Sequence, residues 1–307
     1  MVAGRSSQTW TVLFTRRNAV SDTMMSEKRL YAIVLRLAAM RRGALPRDHG
    51  DQARAALLSL IREGDSPLAK FLHDENIAKP YTISLVKGGK RGKDGASHFG
   101  DGDTADWRFT LLLEPAFEAL WRKYLLNNRL PHVRIGWMHF AVVDAFVSGF
   151  GHADSGNISV DELIDRWTVP PDELSRRIVL DFQSPTAFNL GQDRETKTYR
   201  IRSHPDARTL FSSLRKRWVK LGGADAGDEF DEWVSQSVEQ DAFHVRTQKV
   251  RVERRPITGF MGQVAYTVHG RDLSWLPYLH LLAALSFWTG AGYQTTRGMG
   301  QVRNIMT

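Results

Sequence analysis

Residues 107–125, WRFTLLLEPAFEALWRKYL, change their hydrophobic period part-way along. Trp107, Phe109, Leu111 and Leu113 alternate, as residues do on one face of a strand. From Pro115, which suits the first position of a helix, Phe117, Leu120, Trp121, Tyr124 and Leu125 recur at the spacing of one helical face. The stretch therefore predicts a strand that runs directly into a helix. Upstream, Tyr31 to Leu37 is apolar and branched enough for a buried strand, Ala53, Ala56, Leu57, Leu60 and Ile61 share a helical face ending at Gly64, and Tyr81 to Val86 gives another strand. Downstream, Val133 to Val143 closes the series. The order is β-α-β-β-α-β, an α+β pattern of the ferredoxin-like (RRM-like) kind, with two helices on one face of an antiparallel sheet.

The second half repeats this order. Ile178 to Phe182 is strand-like, Pro205 opens a helix carrying Phe211, Leu214, Trp218 and Leu221, and extended stretches follow at Phe243 to Val252 and Phe260 to Val268. Asp272 to Trp288 is the most apolar helix, and Gln301 to Ile305 supplies a last strand. Gly, Ser, Asp and paired prolines gather between Gly151 and Pro171, which puts the boundary there. The expected organisation is a leader over 1–27, a ferredoxin-like domain over 28–155 and a second over 156–307. Residues 1–27 read as an upstream extension of the true start or as a short tail.

Composition narrows the chemistry. The 307 residues are 42% hydrophobic and 25% charged, with a net charge of +8 and no cysteine. Disorder is not the default, the absence of cysteine removes disulfides, thiolate nucleophiles and thiolate zinc sites, and the basic surface favours polyanionic partners. No apolar run approaches the ~20 residues of a membrane span, and Arg16-Arg17 is followed by polar residues rather than a signal-peptide core. A cytoplasmic protein with no membrane association is expected.

The stretch Gly290-Ala291-Gly292-Tyr293-Gln294-Thr295-Thr296-Arg297-Gly298-Met299-Gly300-Gln301-Val302-Arg303 follows the apolar helix and precedes the last strand. In composition and position it resembles the glycine-rich loop of CRISPR-associated protein six, the family of endoribonucleases that excise guide RNAs from repeat transcripts. Val179 to Phe188, a strand running into Ser184-Pro185-Thr186, resembles the segment that opens that family's second domain. Leu45-Pro46-Arg47-Asp48-His49, the helix through Ile61 and Leu68-Ala69-Lys70-Phe71-Leu72-His73 are similar to the family's first helix, short second helix and catalytic histidine. The match continues through Lys79, Tyr81, Thr82, Ser84 and Leu85.

The resemblance implies repeat-RNA cleavage without metal or cofactor, by attack of a 2′-hydroxyl on the adjacent phosphorus. It implies His73 and Lys79 as catalytic groups, with His49, in a Pro-Arg-Asp-His-Gly turn, as the rival histidine. Residue chemistry fits. Histidine titrates near neutrality, and lysine supplies positive charge. Ser66-Pro67 reads as the start of a short helix ending at His73, whose C-terminal dipole favours the imidazolium. The family's tyrosine in the preceding helix has no counterpart: Leu58 holds the corresponding place, with Ser59 and Arg54 as nearby polar residues.

For RNA contact, the loop residues Gly290, Gly292, Thr295, Thr296, Arg297, Gly298, Gly300 and Arg303 are the first candidates, through backbone N–H groups and charge. Arg246, Lys249, Arg251, Arg254 and Arg255 lie on or beside a strand of the second domain, near where this fold would place that loop. Lys90 and Arg91, in a glycine-interleaved polar loop, are further candidates. Arg215, Lys216 and Arg217 read as a solvated helix face, and Asp228, Glu229, Asp231 and Glu232 as an exposed acidic segment. Gly88 to Lys93 is one residue short of a P-loop and lacks its Ser or Thr, so ATP binding is not expected. The partners implied are CRISPR repeat RNA, other CRISPR-associated proteins and a second copy of the chain. A non-catalytic RNA-binding subunit of an interference complex is the alternative with the same fold.

Overall fold

The computed structural model describes residues 28–74, 79–126, 130–253 and 255–305, so the leader over 1–27 and Arg254 lie outside the described residues. The first half is a sheet with β1 (Arg29–Ala39) at its centre. The other strands are β2 (Tyr81–Ile83), β3 (Thr104–Leu111), β4 (His132–Ile135) and β5 (Met138–Phe146), in the order β2-β3-β1-β5-β4 and antiparallel throughout. Tyr31, Ile33, Leu35 and Leu37 of β1 pack under α1 (Gly50–Gly64) and α3 (Glu114–Leu120), while α2 (Ser66–His73) adds Ala69 and Leu72. Leu30 and Ala32, on the opposite face, enter the core of the second half instead. β1 is thus buried on both sides, which explains its continuous apolar run.

Two elements differ from the sequence reading. Val133 to Val143 is a hairpin rather than one strand, because the pairing Ile135↔Met138 leaves Gly136 and Trp137 as a two-residue turn. The helix opened by Pro115 changes to a π-helical turn over Trp121–Leu125.

The second half holds β7 (Arg177–Thr186), α5 (Ala207–Lys220), α6 (Gly227–Ser237), β8 (Val238–Val252), β9 (Arg255–Val268), α7 (Leu276–Thr289) and β10 (Val302–Ile305). Its sheet runs β8-β9-β7-β10, again antiparallel and with the same strand permutation as β2-β3-β1-β5. Both halves are ferredoxin-like. α7 is buried on nearly every face, which is why its sequence is apolar all round. Between the halves, β6 (Gly156–Ser159) pairs with β1, so the first sheet extends past residue 155. α4 (Val160–Trp167) then starts in a capping box of Ser159 and Glu162 and packs into the second core.

One side chain ties the halves together. Arg108 of β3 is buried and donates from Nη1 to Gln301 Oε1 (2.6 Å), from Nη2 to the Phe287 carbonyl (2.6 Å) and from Nε to the Asp154 carbonyl (2.8 Å). Its guanidinium lies 4.5 Å from the Phe287 ring centroid. Gln301 in turn donates to the Ile83 carbonyl at 3.2 Å. Burial pushes the Arg108 pKa down to about 10, which leaves it charged at neutral pH.

Inside the first half, His49 pins the segment before α1 to the one after β2. Its Nε2 accepts the Val86 N–H (2.9 Å), so the proton sits on Nδ1, which donates to the Pro46 carbonyl (2.7 Å). Burial holds this imidazole below the ordinary histidine range.

Two outcomes are expected. Arg108→Met leaves three acceptors without their donor and should cost about 3 kcal/mol or more, lowering the melting temperature by about 5 °C or more; an unchanged melt would remove Arg108 as the tie. For His49, the folded state disfavours protonation, so its contribution is complete above the unfolded-state pKa of about 6.5 and declines as pH falls below it. Denaturant titrations at pH 7 and pH 5 should show wild type losing more stability on acidification than His49→Gln. The remaining acid sensitivity of that variant includes His280, whose pKa is lowered in the same way.

Candidate functional site

The glycine-rich segment is a compact connection whose own hydrogen bonds hold it closed. The N–H groups of Ala291, Tyr293 and Gly300 donate to the carbonyls of Gly300, Ala187 and Pro185 at 2.8, 2.7 and 3.0 Å. Gly300 takes φ +68°, and a Cβ there would lie 2.0 Å from the Ala291 carbonyl oxygen. Glycine is required to close the loop. Gly290, Thr295, Gly298 and Gly300 are buried, whereas Gly292, Thr296 and Arg297 are half-buried.

The loop rests on the first half. A Cβ at Gly50, which opens α1, would lie 2.0 Å from the Arg297 carbonyl oxygen, so the two backbones meet directly. The Arg297 side chain pairs with Asp51 (3.3 Å) and with Glu253. It therefore joins α1, the β8–β9 turn and the loop in one ionic cluster, a role that its place in a glycine-rich motif did not reveal.

His73 is exposed at the C-terminal end of α2, a helix started by Asp65, whose Oδ1 accepts the Leu68 N–H at 2.9 Å. It lines a groove between α1, α2 and the β4–β5 turn, together with Arg54, Arg62, Lys70 and Arg134. Leu58 and Ser59 line the same groove. Arg54 donates from Nε to the Tyr81 hydroxyl (3.1 Å). Burial raises the pKa of that tyrosine. Lys79 lines a neighbouring concavity with Gly292, Tyr293, Gln294, Thr295 and Thr296, and with Arg208, Lys216 and Lys220 of α5. Its Nζ donates to the Asp74 carbonyl, so Lys79 and the residue after His73 are in contact where the grooves adjoin. His49 is elsewhere: buried, with both ring nitrogens engaged by backbone. Among the described residues no group of three or more His, Asp or Glu is placed to hold a metal ion.

The β8–β9 hairpin stands beside the loop. Val250, Val252 and Ile257 pack with Ala187 and Met299, and Tyr293 covers them. Arg246, Lys249, Arg251 and Arg255 are exposed along the hairpin. Because strand faces alternate, Lys249 and Arg251 point away from the Val250–Val252 face. Arg47, just before α1, donates to the Lys249 carbonyl at 3.2 Å, and its Cδ would lie 3.0 Å from a Cβ at Gly95. Lys90 and Arg91 lie in a short ladder with Ser97 and His98 near that turn, so their segment is paired strand rather than open loop. Basic groups from both halves are thereby gathered along one side.

Arg303, a candidate RNA contact, pairs with Asp154 beside the Arg108 tie. The solvated-face and exposed-acidic assignments need correction. Arg215 is not solvated: it is buried against Asp231 (2.9 Å) and Asp225, and Asp231, read from sequence as part of an exposed acidic segment, is buried with it. Arg217 donates to the Thr289 carbonyl at 2.9 Å and to the Gly292 carbonyl, fixing the entry to the glycine-rich loop, and burial lowers its pKa to about 10. Arg215 follows Phe211 by four residues and Arg217 follows Leu214 by three, so both flank the apolar face of α5, and the carbonyls and carboxylates that receive them come from other segments. No helix among the described residues is long and apolar enough to cross a membrane.

The family model described as CRISPR-associated endoribonuclease Cas6 matches residues 180–302, which form most of the second half. Cas6 of Mycobacterium tuberculosis (strain CDC 1551 / Oshkosh) is 31% identical over 133 residues, 42% of this chain. That match spans 39% of the curated relative's length. Among solved structures, Thermus thermophilus Cas6 (TTHB231) superposes with a TM-score of 0.67 at 22% identity, covering 91% of this chain and 99% of that one. The Cas6 (TTHA0078) product complex gives a TM-score of 0.67 at 26% identity, covering 91% and 100%. Over nine-tenths of its length the fold is thus similar to that of solved Cas6 structures, and residues 180–302 carry the sequence pattern of the CRISPR-associated Cas6 family.

Proposed function

We propose that the protein is an endoribonuclease that cuts precursor CRISPR RNA within its repeats, without metal or cofactor, and releases guide RNAs. The 2′-hydroxyl before the scissile phosphate gives its proton to water and its oxygen bonds to phosphorus as the bond from phosphorus to the 5′-oxygen breaks. The products are a 2′,3′-cyclic phosphate and a 5′-hydroxyl. His73 donates the proton that the departing 5′-oxygen needs, and Lys79 offsets negative charge on the phosphoryl oxygens.

The observation that carries this reading is the environment of His73. The ring is exposed at the C-terminal end of α2 and lies in a groove with Arg54, Arg62, Lys70 and Arg134. That combination suits an acid facing a polyanion. His49 offers no comparable opening. The endoribonuclease description of the family and the product complexes among its solved members support the same conclusion.

RNA reaches this groove along the exposed hairpin arginines and lysines, the Lys90–Arg91 ladder and the rim of the glycine-rich loop. The loop's buried glycines shape that rim, and Arg297 braces it. Other CRISPR-associated proteins and a second copy of the chain are the further partners of this reading.

Incubating the protein with an end-labelled repeat transcript in EDTA should yield cyclic-phosphate ends. His73→Ala should lower the single-turnover rate by about 10²- to 10⁴-fold with RNA affinity nearly unchanged. Undiminished cutting by that variant would remove His73 from the mechanism, and binding without cutting by the wild type would mark a non-catalytic RNA-binding subunit. Lys249→Gln and Arg251→Gln should each weaken binding and reduce the slope of log affinity against log salt by about one. An unchanged slope would take these residues off the phosphate path.

A further inference from the structure

Phe71 is the apolar side chain of α2 that the core does not take. Leu68, Ala69 and Leu72 pack inward, whereas Phe71 is 52% exposed. A lone exposed aromatic is ordinary on a protein surface, so the weight lies in its position. Phe71 lines the same groove as His73, with Arg54, Arg62, Lys70 and Arg134 around it. A second exposed aromatic borders that groove: Trp137, 85% exposed, follows the lining residue Gly136 in the β4–β5 turn, and Arg41 pins that turn by donating to the Trp137 carbonyl at 2.7 Å.

The occupant follows from charge. The groove presents four cations against Asp51 and Asp74, and Asp51 is already paired with Arg297. A second copy of a chain carrying +8 would bring like charge to it. Flat aromatic faces among cations suit a strand whose phosphates are anionic and whose bases are unstacked.

We infer that Phe71 is a stacking platform for one unpaired nucleobase of the RNA, next to the phosphate that His73 faces. It is a positioning residue. Holding a base against the ring fixes the sugar attached to it, and so the orientation of the neighbouring 2′-hydroxyl relative to the imidazole. This rests on the proposed nuclease reading for the identity of the RNA, but its test does not depend on cutting.

The test measures affinity of full-length His73→Ala protein for a set of repeat oligonucleotides, each with one abasic position, with Phe71 intact and with Phe71→Ala added. At one or two positions the abasic change should weaken binding about 5- to 100-fold when Phe71 is intact and cost little more once Phe71 is gone. Phe71→Trp should retain the coupling, which a loss of folding would not allow. In protein with His73 restored, those positions should fall within a nucleotide or two of the cut. If Phe71→Ala binds as tightly as its parent, or if its effect adds independently to the abasic effect at every position, the platform is wrong. Coupling in the absence of any cutting would keep the platform and overturn the nuclease reading instead.

Discussion

The proposed RNA surface draws on two similar halves, so it depends on how firmly those halves are registered. Arg108 sets that registration. A guanidinium has five donors in a fixed fork, and here the fork reaches a carbonyl before β6, a carbonyl near the end of α7 and the side chain of Gln301. Gln301 closes the circuit by donating to Ile83 of β2. The position of β2 is thereby linked to the start of β10, and the glycine-rich loop immediately precedes that strand. A displacement of one half would leave several buried polar groups without partners together, which makes the arrangement stiff rather than adjustable.

Two histidines of the first half end in opposite conditions. His49 precedes α1, where loop, helix and the segment after β2 converge, and both its nitrogens become structural. His73 closes a short helix at the edge of the same core and faces solvent. Sequence alone could weigh them by motif. The difference lies in whether backbone polar groups from elsewhere arrive within hydrogen-bond reach, and Val86 does so for His49 from 37 residues away.

That contrast marks what was legible in the chain. Elements governed by local period were readable: the repeated β-α-β-β-α-β order, the apolar α7, and the glycine-rich connection whose residue types suit its sharp turns. Features that need a partner from far along the chain were not. Arg215 and Arg217 flank the apolar face of α5 but read as solvated by residue type, and the arrival of Asp231 and of the Thr289 and Gly292 carbonyls makes them internal. The hairpin hidden in 133–143 was missed for a different reason: its alternation continues on both sides of the turn, so the hydrophobic pattern barely marks the reversal.

The same distinction reinterprets the basic composition. A net charge of +8 suggests a uniformly attractive surface, yet arginines are divided between two kinds of duty. Arg108, Arg215, Arg217 and Arg297 are directed inward to carbonyls and carboxylates, where planar multiple donation suits fixed acceptors. Arg62, Lys70, Arg134, Arg246, Lys249 and Arg251 stand outward, where a mobile charge suffices to meet a phosphate. Exchange of arginine for lysine is therefore not one experiment in this protein. At the outward positions it preserves the charge that a polyanion senses, whereas at the inward ones it keeps the charge and removes the fork on which the geometry of the groove is built.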